Sequence, residues 1–198
     1  SSEPVIKNFL NEYIADYEQS LVDQGHFYAM SMAARSLSPV SGLTETWMGL
    51  EQLLYLRELK KQAKLGDKLQ DLAGSALSKT PLVALIGESR EIDLASARLE
   101  AREPEFDEAE IKKPDPVINR ALATDTDVSF VSEAIKMVNI CHEDAAPLFV
   151  LSRLLGRGYL HNELREKGGA YGGFARYDLE DGIWYFGSYR DPQLQRTF

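Results

Sequence analysis

The chain has 198 residues, of which 44% are apolar, enough to bury a core in one large domain or two partial ones. Its net charge of −9 and pI of about 4.9 argue against a nucleic-acid partner, which needs a basic face, and leave basic peptides or plain solubility as the meaning of the acidity. One cysteine, Cys141, rules out an intrachain disulfide, and no apolar run is long enough to cross a bilayer.

Residues 4–21 predict a helix, with Ile6, Leu10, Tyr13 and Tyr17 at helical spacing. A second helix, rich in Ala and Met, is expected from His26 to Leu37, where Ser38-Pro39 breaks it. A third starts near Ser41 and puts Leu43, Trp47, Leu50 and Leu54 on one face, with Leu53 beside them. Its tail from Arg57 to Lys64 is basic and reads as solvated. Gly66-Asp67 is expected to interrupt, and 68–78 to form a fourth helix. Leu82 to Gly87, behind Pro81, reads as a short buried strand, and 89–101 as helix. Residues 104–116 hold three prolines and mixed charge and are read as a linker between two regions, 1–103 and 117–198.

Beyond the linker the strand signal strengthens. Residues 117–123 and 127–140 read as extended, with Val128, Phe130, Val131, Ile135 and Val138 as apolar members. His142-Glu143-Asp144 opens a helix whose buried face is Leu148, Leu151, Leu154 and Leu155, and which is expected to run toward Glu166 despite Gly156 and Gly158. Ala170 to Tyr177 and Ile183 to Tyr189 form an aromatic hairpin around Asp178 to Gly182. Asp191-Pro192 reads as a helix start with six residues after it, so the chain is expected to be part of a longer one. The fold class is α/β in the mixed, α+β sense: a helix-rich part plus a mixed or antiparallel sheet covered by helices.

His26, His142 and His161 share no short metal-ligand spacing, so no zinc site is expected on this chain, and each reads as structural or surface. Cys141, between Ile140 and His142, reads as a small buried hydrophobe, compatible with a reducing compartment. The segment that stands out is 163–174, ELREKGGAYGGF. Its glycines 168, 169, 172 and 173 bare the backbone, and Arg165 and Tyr171 stand within it. Arg165 offers charge-assisted hydrogen bonds to a peptide, and Tyr171 a hydroxyl for a carbonyl gaining charge. A bare strand beside them suits pairing with an extended peptide. On spacing alone, Gly168-Gly169 is equally a helix terminus, with Arg165 and Lys167 at the negative end of the dipole.

LREKGGAYGG, the hairpin after it and SYRDP at 188–192 resemble the pitrilysin and insulin-degrading-enzyme family of zinc metallopeptidases, in its presequence-protease branch. GHFYAMSMAARSLSP and GLEQLLYLREL upstream resemble it too, so that the likeness spans residues 15–198. The resemblance implies four homologous domains closing around a peptide chamber, with zinc bound at an HxxEH motif that this chain lacks. On that basis residues 1–103 are the latter part of a third pitrilysin-type domain and 117–198 the first part of a fourth. Arg165 and Tyr171 are then the substrate-binding pair, Tyr171 also serving the transition state, while Gly168, Gly169 and Gly172 admit the substrate strand. The implied function is the substrate-binding part of a zinc-dependent endopeptidase for unfolded oligopeptides. Its partners are the peptide and the N-terminal catalytic half. The chain is expected to be inactive alone and to reside in bacterial cytoplasm or an organelle matrix. The alternatives are a non-catalytic scaffold of the same fold and an unrelated peptide-binding module.

Overall fold

The computed structural model describes residues 3–78, 83–97, 120–123 and 126–193. The linker expected at 104–116, and the residues that would carry a helix after Pro192, lie outside the described residues. Two compact units form, one from residues 1–6 and 62–110 and the other from 7–61 and 111–198.

In the smaller unit, α1 (Glu3–Asp23) contributes its first turn, followed by α5 (Leu65–Leu77) and α6 (Ser89–Ser96). Gly66-Asp67, expected to interrupt, lies inside α5; Lys64 makes the break with a left-handed φ of 60°. The Leu65 and Gly66 N–H groups donate to the Glu3 carboxylate at 3.2 and 3.3 Å. A side chain remote in sequence thus caps α5 and meets the positive end of its dipole. The strand expected at 82–87 is not found: its described residues form no ladder, and Ile86 is fully exposed at 102%. An apolar run becomes a strand when a partner strand satisfies its backbone, and none does so among the described residues.

The larger unit is layered around an antiparallel sheet. Its strands are β1 (Ser129–Lys136), β2 (Gly172–Asp178) and β3 (Ile183–Asp191), in the order β1-β3-β2. A bulge between Ser129 and Val131 adjusts the β1 register against β3. α2 (Gly25–Ala34) lies on one face, where Met30 and Ala34 pack on Ile183 and Tyr185. α7 (Ala145–Arg157) covers the other face, where Ala145, Leu148 and Leu155 meet Ala175, Tyr177 and Trp184. The strand alternation therefore buries both faces of β3. Leu151 and Leu154, expected inward on α7, are exposed, because the sheet takes the stripe through Ala145, Leu148, Ser152 and Leu155.

The outer side of α2 is buried as well. Tyr28 and Met32 pack on Ile14, Tyr17 and Leu21 of α1 and on Leu50 and Leu53 of α4 (Leu50–Leu59). The single helix expected from Ser41 is two, α3 (Pro39–Met48) and α4, parted at Gly49. Ser38 caps α3 by accepting the Ser41 N–H at 3.0 Å. Trp47 and Leu54, expected on one buried face, end exposed because the break at Gly49 rotates α4 relative to α3.

Glu45 holds that break together. It is fully buried; its carboxylate accepts the Ser31 hydroxyl at 2.6 Å and the Leu50 N–H at 3.0 Å, while the Tyr17 hydroxyl donates to the Gly49 carbonyl at 2.9 Å. A Cβ on Gly49 would stand 2.0 Å from a Glu45 carboxylate oxygen, so the close approach requires glycine. Burial pushes the Glu45 carboxyl above its usual value, partly offset by the hydrogen bond from Ser31. The fold thus prefers protonated Glu45, and the stability from that preference is present at acid pH and lost as pH rises through the raised value. Glu45→Gln removes this titration. The stability of the natural protein relative to the Gln variant is expected to fall as pH rises from about 4 to about 8, as measured by urea unfolding at a series of pH values. A pH-independent difference would show that Glu45 ionises freely.

Candidate functional site

The chemistry-bearing segment begins where α7 stops. Gly158 ends α7, and the helix resumes from His161 to Lys167 as a π-helix, so the single helix expected to Glu166 is broken. π-turns recur where a side chain must be re-aimed. Gly168 caps this helix, its N–H donating to the Arg165 carbonyl. A Cβ on Gly168 would stand 2.7 Å from the Leu164 carbonyl oxygen. Gly169 takes a left-handed φ of 80°, and the next N–H, of Ala170, reaches back to Leu164 at 2.9 Å. Both glycines are therefore explained by helix termination. Gly172 differs: a Cβ there would meet nothing within 4 Å, so no contact inside the chain calls for glycine.

This turn brings Arg165 and Tyr171 together. The Arg165 guanidinium carbon lies 5.6 Å from the centroid of the Tyr171 ring, a cation–π contact. Tyr171 is 64% exposed, and its backbone N–H donates to the Arg190 carbonyl at 3.2 Å. Arg165 is exposed and has no carboxylate partner among the described residues. Directly after Tyr171 comes β2, an edge strand: it pairs with β3, and no strand occupies its other side among the described residues. A cation, a phenol and an unpaired strand edge thus stand side by side, the set needed to grip an extended peptide.

Further residues complete the arrangement, and the sequence reading gave none of them a role here. The Tyr189 ring meets Tyr171 edge-on at 5.5 Å and His26 at 4.7 Å. Phe130 closes the other side of Tyr189 at 5.6 Å. Arg190 holds a left-handed φ of 49° and sets its guanidinium 5.5 Å from the Tyr189 ring. His26 is surrounded by rings and its Nδ1 is buried without a hydrogen bond; burial holds the imidazole below its usual value. SYRDP offered a signal for Tyr189 and Arg190, as an aromatic and a cation at a strand end. Nothing local pointed to His26, whose ring neighbours Phe130 and Tyr189 are over a hundred residues away in sequence.

The remaining histidines lie apart from this site: His142 accepts the Asp144 N–H at 3.2 Å, and His161 stands 4.0 Å from Glu166. Among the described residues no three of His, Cys, Asp and Glu gather as metal ligands, so the groups present do not fit a zinc ion. Cys141, expected to be buried, is exposed, because it falls in the polar loop before α7.

The glycines are separable by substitution. Gly169→Ala is expected to cost about 1–2 kcal/mol, the price of left-handed backbone with a Cβ, while Gly172→Ala stays within about 0.5 kcal/mol of the natural protein. Urea unfolding of both variants reads the difference; equal losses would mean that Gly172 also has an internal structural task.

Comparison with known proteins agrees with this segment-by-segment picture. Residues 119–198 match the family described as PreP C-terminal domain, and residues 1–59 match the family described as associated with peptidase M16, subfamily C. The mitochondrial presequence protease of Yarrowia lipolytica is 34% identical over 206 residues, covering 97% of this chain and 21% of that protein. Those of Danio rerio and Saccharomyces cerevisiae are 31% and 30% identical, covering 87% and 88% of this chain and 20% of each relative. The chain spans about a fifth of the length of the curated relatives it matches. Carrying one peptidase-associated segment and one presequence-protease C-terminal segment in this order, the chain belongs to the presequence-protease branch of the M16 peptidase family.

Proposed function

We propose that this chain is the substrate-binding, C-terminal-half part of a zinc-dependent metalloendopeptidase that degrades unfolded oligopeptides inside a closed chamber. The observation that carries this is the pairing of Arg165 with Tyr171 at the head of an unpaired strand edge. An extended peptide adds to the open edge of β2, where Gly172 lets its backbone come close. Arg165 donates charge-assisted hydrogen bonds to peptide carbonyls or a carboxylate. The Tyr171 hydroxyl donates to the scissile carbonyl as its oxygen gains charge, in the manner of an oxyanion-hole donor. Gly168 and Gly169 act at one remove, by ending the helix so that the two side chains meet.

The zinc used by M16 peptidases supplies the activated water and is held outside this chain, on the N-terminal half that is its principal partner. The domain reading stands beside this: residues 1–103 as the end of a third pitrilysin-type domain, 104–116 as a linker and 117–198 as the start of a fourth. The curated relatives are mitochondrial by name, so an organelle matrix is the expected location in a eukaryote and the cytoplasm in a bacterium.

In the full-length protein, Tyr171→Phe is expected to lower kcat by roughly 10- to 1000-fold, the range for losing one oxyanion donor. Arg165→Ala is expected to lower kcat/KM similarly, with part of the loss in KM. Steady-state cleavage of an unstructured peptide measures both, and the isolated chain is expected to cleave nothing. Unchanged kinetics in both variants, or a full-length protein without peptidase activity, would favour a scaffold role instead.

A further inference from the structure

The larger unit holds a cavity of about 370 Å³ between α2, α3 and the turn that joins β2 to β3. Met30 and Ala34 of α2 give it an apolar wall. Asp178, Glu180 and Asp181 line the opposite side, and Arg176 is the one basic residue in the lining, so carboxylates outnumber cations by three to one. Two of these carboxylates are fixed before any ligand arrives. One oxygen of Asp181 accepts the Ser38 and Ser41 hydroxyls, each at 2.5 Å. One oxygen of Asp178 accepts the Glu180 and Asp181 N–H groups at 3.0 and 3.2 Å. Among the described residues the second oxygen of each accepts no hydrogen bond.

A separate observation marks the cavity as built to receive something. Tyr185, from the central strand, is 8% exposed and lines it, yet its hydroxyl has no hydrogen-bond partner among the described residues. A buried phenol left unpaired costs about 1–3 kcal/mol unless water or a ligand meets it. Burial, then the charges of Asp178 and Asp181, push this phenol up to about 12, so it stays a neutral hydroxyl at physiological pH.

We propose that this cavity is a subsite for an ammonium or guanidinium group on an apolar stem, the side chain of a lysine or arginine in a bound peptide. The stem lies along Met30 and Ala34. The head donates to the uncommitted oxygens of Asp178 and Asp181 and to the Tyr185 hydroxyl, with Glu180 adding charge. Burying the methylenes while satisfying the cation is what such a side chain requires. Tyr185 and Tyr189 lie four residues apart on one face of β3, about 13 Å along the strand. A peptide following the edge of β2 past Tyr171 would therefore carry a side chain to the cavity about four residues away. That placement rests on the peptide-binding reading above; the charge and apolar wall of the cavity do not.

The test uses the full-length protein in the presence of a chelator, so that peptide is bound and not cut. Fluorescent neutral peptides carrying one lysine, stepped along the sequence, are compared by anisotropy with the same peptides bearing acetyl-lysine. At one position lysine is expected to bind roughly tenfold tighter. Tyr185→Phe and Glu180→Gln are each expected to remove most of that preference and to leave the acetyl-lysine peptide unchanged. A lysine preference that survives in both variants, or none at any position, overturns the peptide subsite. Calorimetric titration with cadaverine separates this from the reading it rests on. If no peptide binds but cadaverine does, and Tyr185→Phe abolishes it, the cation site stands and the peptidase reading falls. If cadaverine fails as well, the proposal is overturned.

Discussion

The structure turns on strand β3, which has a strand on each edge and a helix on each face. A strand so placed has no residue free to be merely soluble. Ile183 and Tyr185 face α2, and Trp184 and Phe186 face α7, so consecutive side chains are all large and apolar. The register of its neighbours follows from this pattern, since a slip by one residue would exchange the two faces. The bulge near Ser129 absorbs the mismatch at the end of the ladder, beside the place where Tyr189 and Arg190 meet Tyr171. The candidate site is thus an end effect of the central strand.

α2 carries the second constraint. It is buried against the sheet on one side and against α1 and α4 on the other, so an amphipathic stripe would serve it poorly. Its small and flexible residues, alanine and methionine, fit two unlike surfaces at once. The buried Glu45 then fixes the angle between α3 and α4, an arrangement that an apolar residue would not supply because two donors would be left unpaired. The same helices wall the cavity beneath the β2–β3 turn, and Ser38 and Ser41, at the start of α3, hold its carboxylate in place. Packing and the chemistry of that cavity therefore share residues.

At the glycine-rich segment, helix termination and peptide approach are both served, by different residues. Gly168 and Gly169 end the π-helix and turn the chain, and this turn is what sets Arg165 over the Tyr171 ring. Gly172 has no such duty and leaves the strand edge bare. The ring chain from Tyr171 through Tyr189 to His26 backs the phenol with stacked aromatic surface. An exposed tyrosine gains a defined position from such contacts.

Local signals carried much of this protein in its sequence. Helical spacing marked α1, α2 and α5, and aromatic alternation with a polar turn marked the hairpin. Glycine clustering beside Arg165 and Tyr171 singled out the segment where chemistry is possible, because residue type and short-range spacing are properties of the chain itself. What covers a given face was not legible. Leu151, Leu154, Trp47 and Leu54 look as apolar as Leu53, yet Leu53 alone of these is fully buried. The described residues of 82–87 look like a strand and form no ladder. The break at Gly49 depends on a carboxylate 2.0 Å from where a Cβ would stand, and His26 joins the site through rings more than a hundred residues distant. The sequence by itself determined which residues bear chemistry and which segments prefer helix or strand, since those preferences are short-ranged. Only the tertiary structure decided which apolar faces find a partner, and which distant aromatic rings and carboxylates meet, since burial and close approach are set by contacts that no local pattern contains.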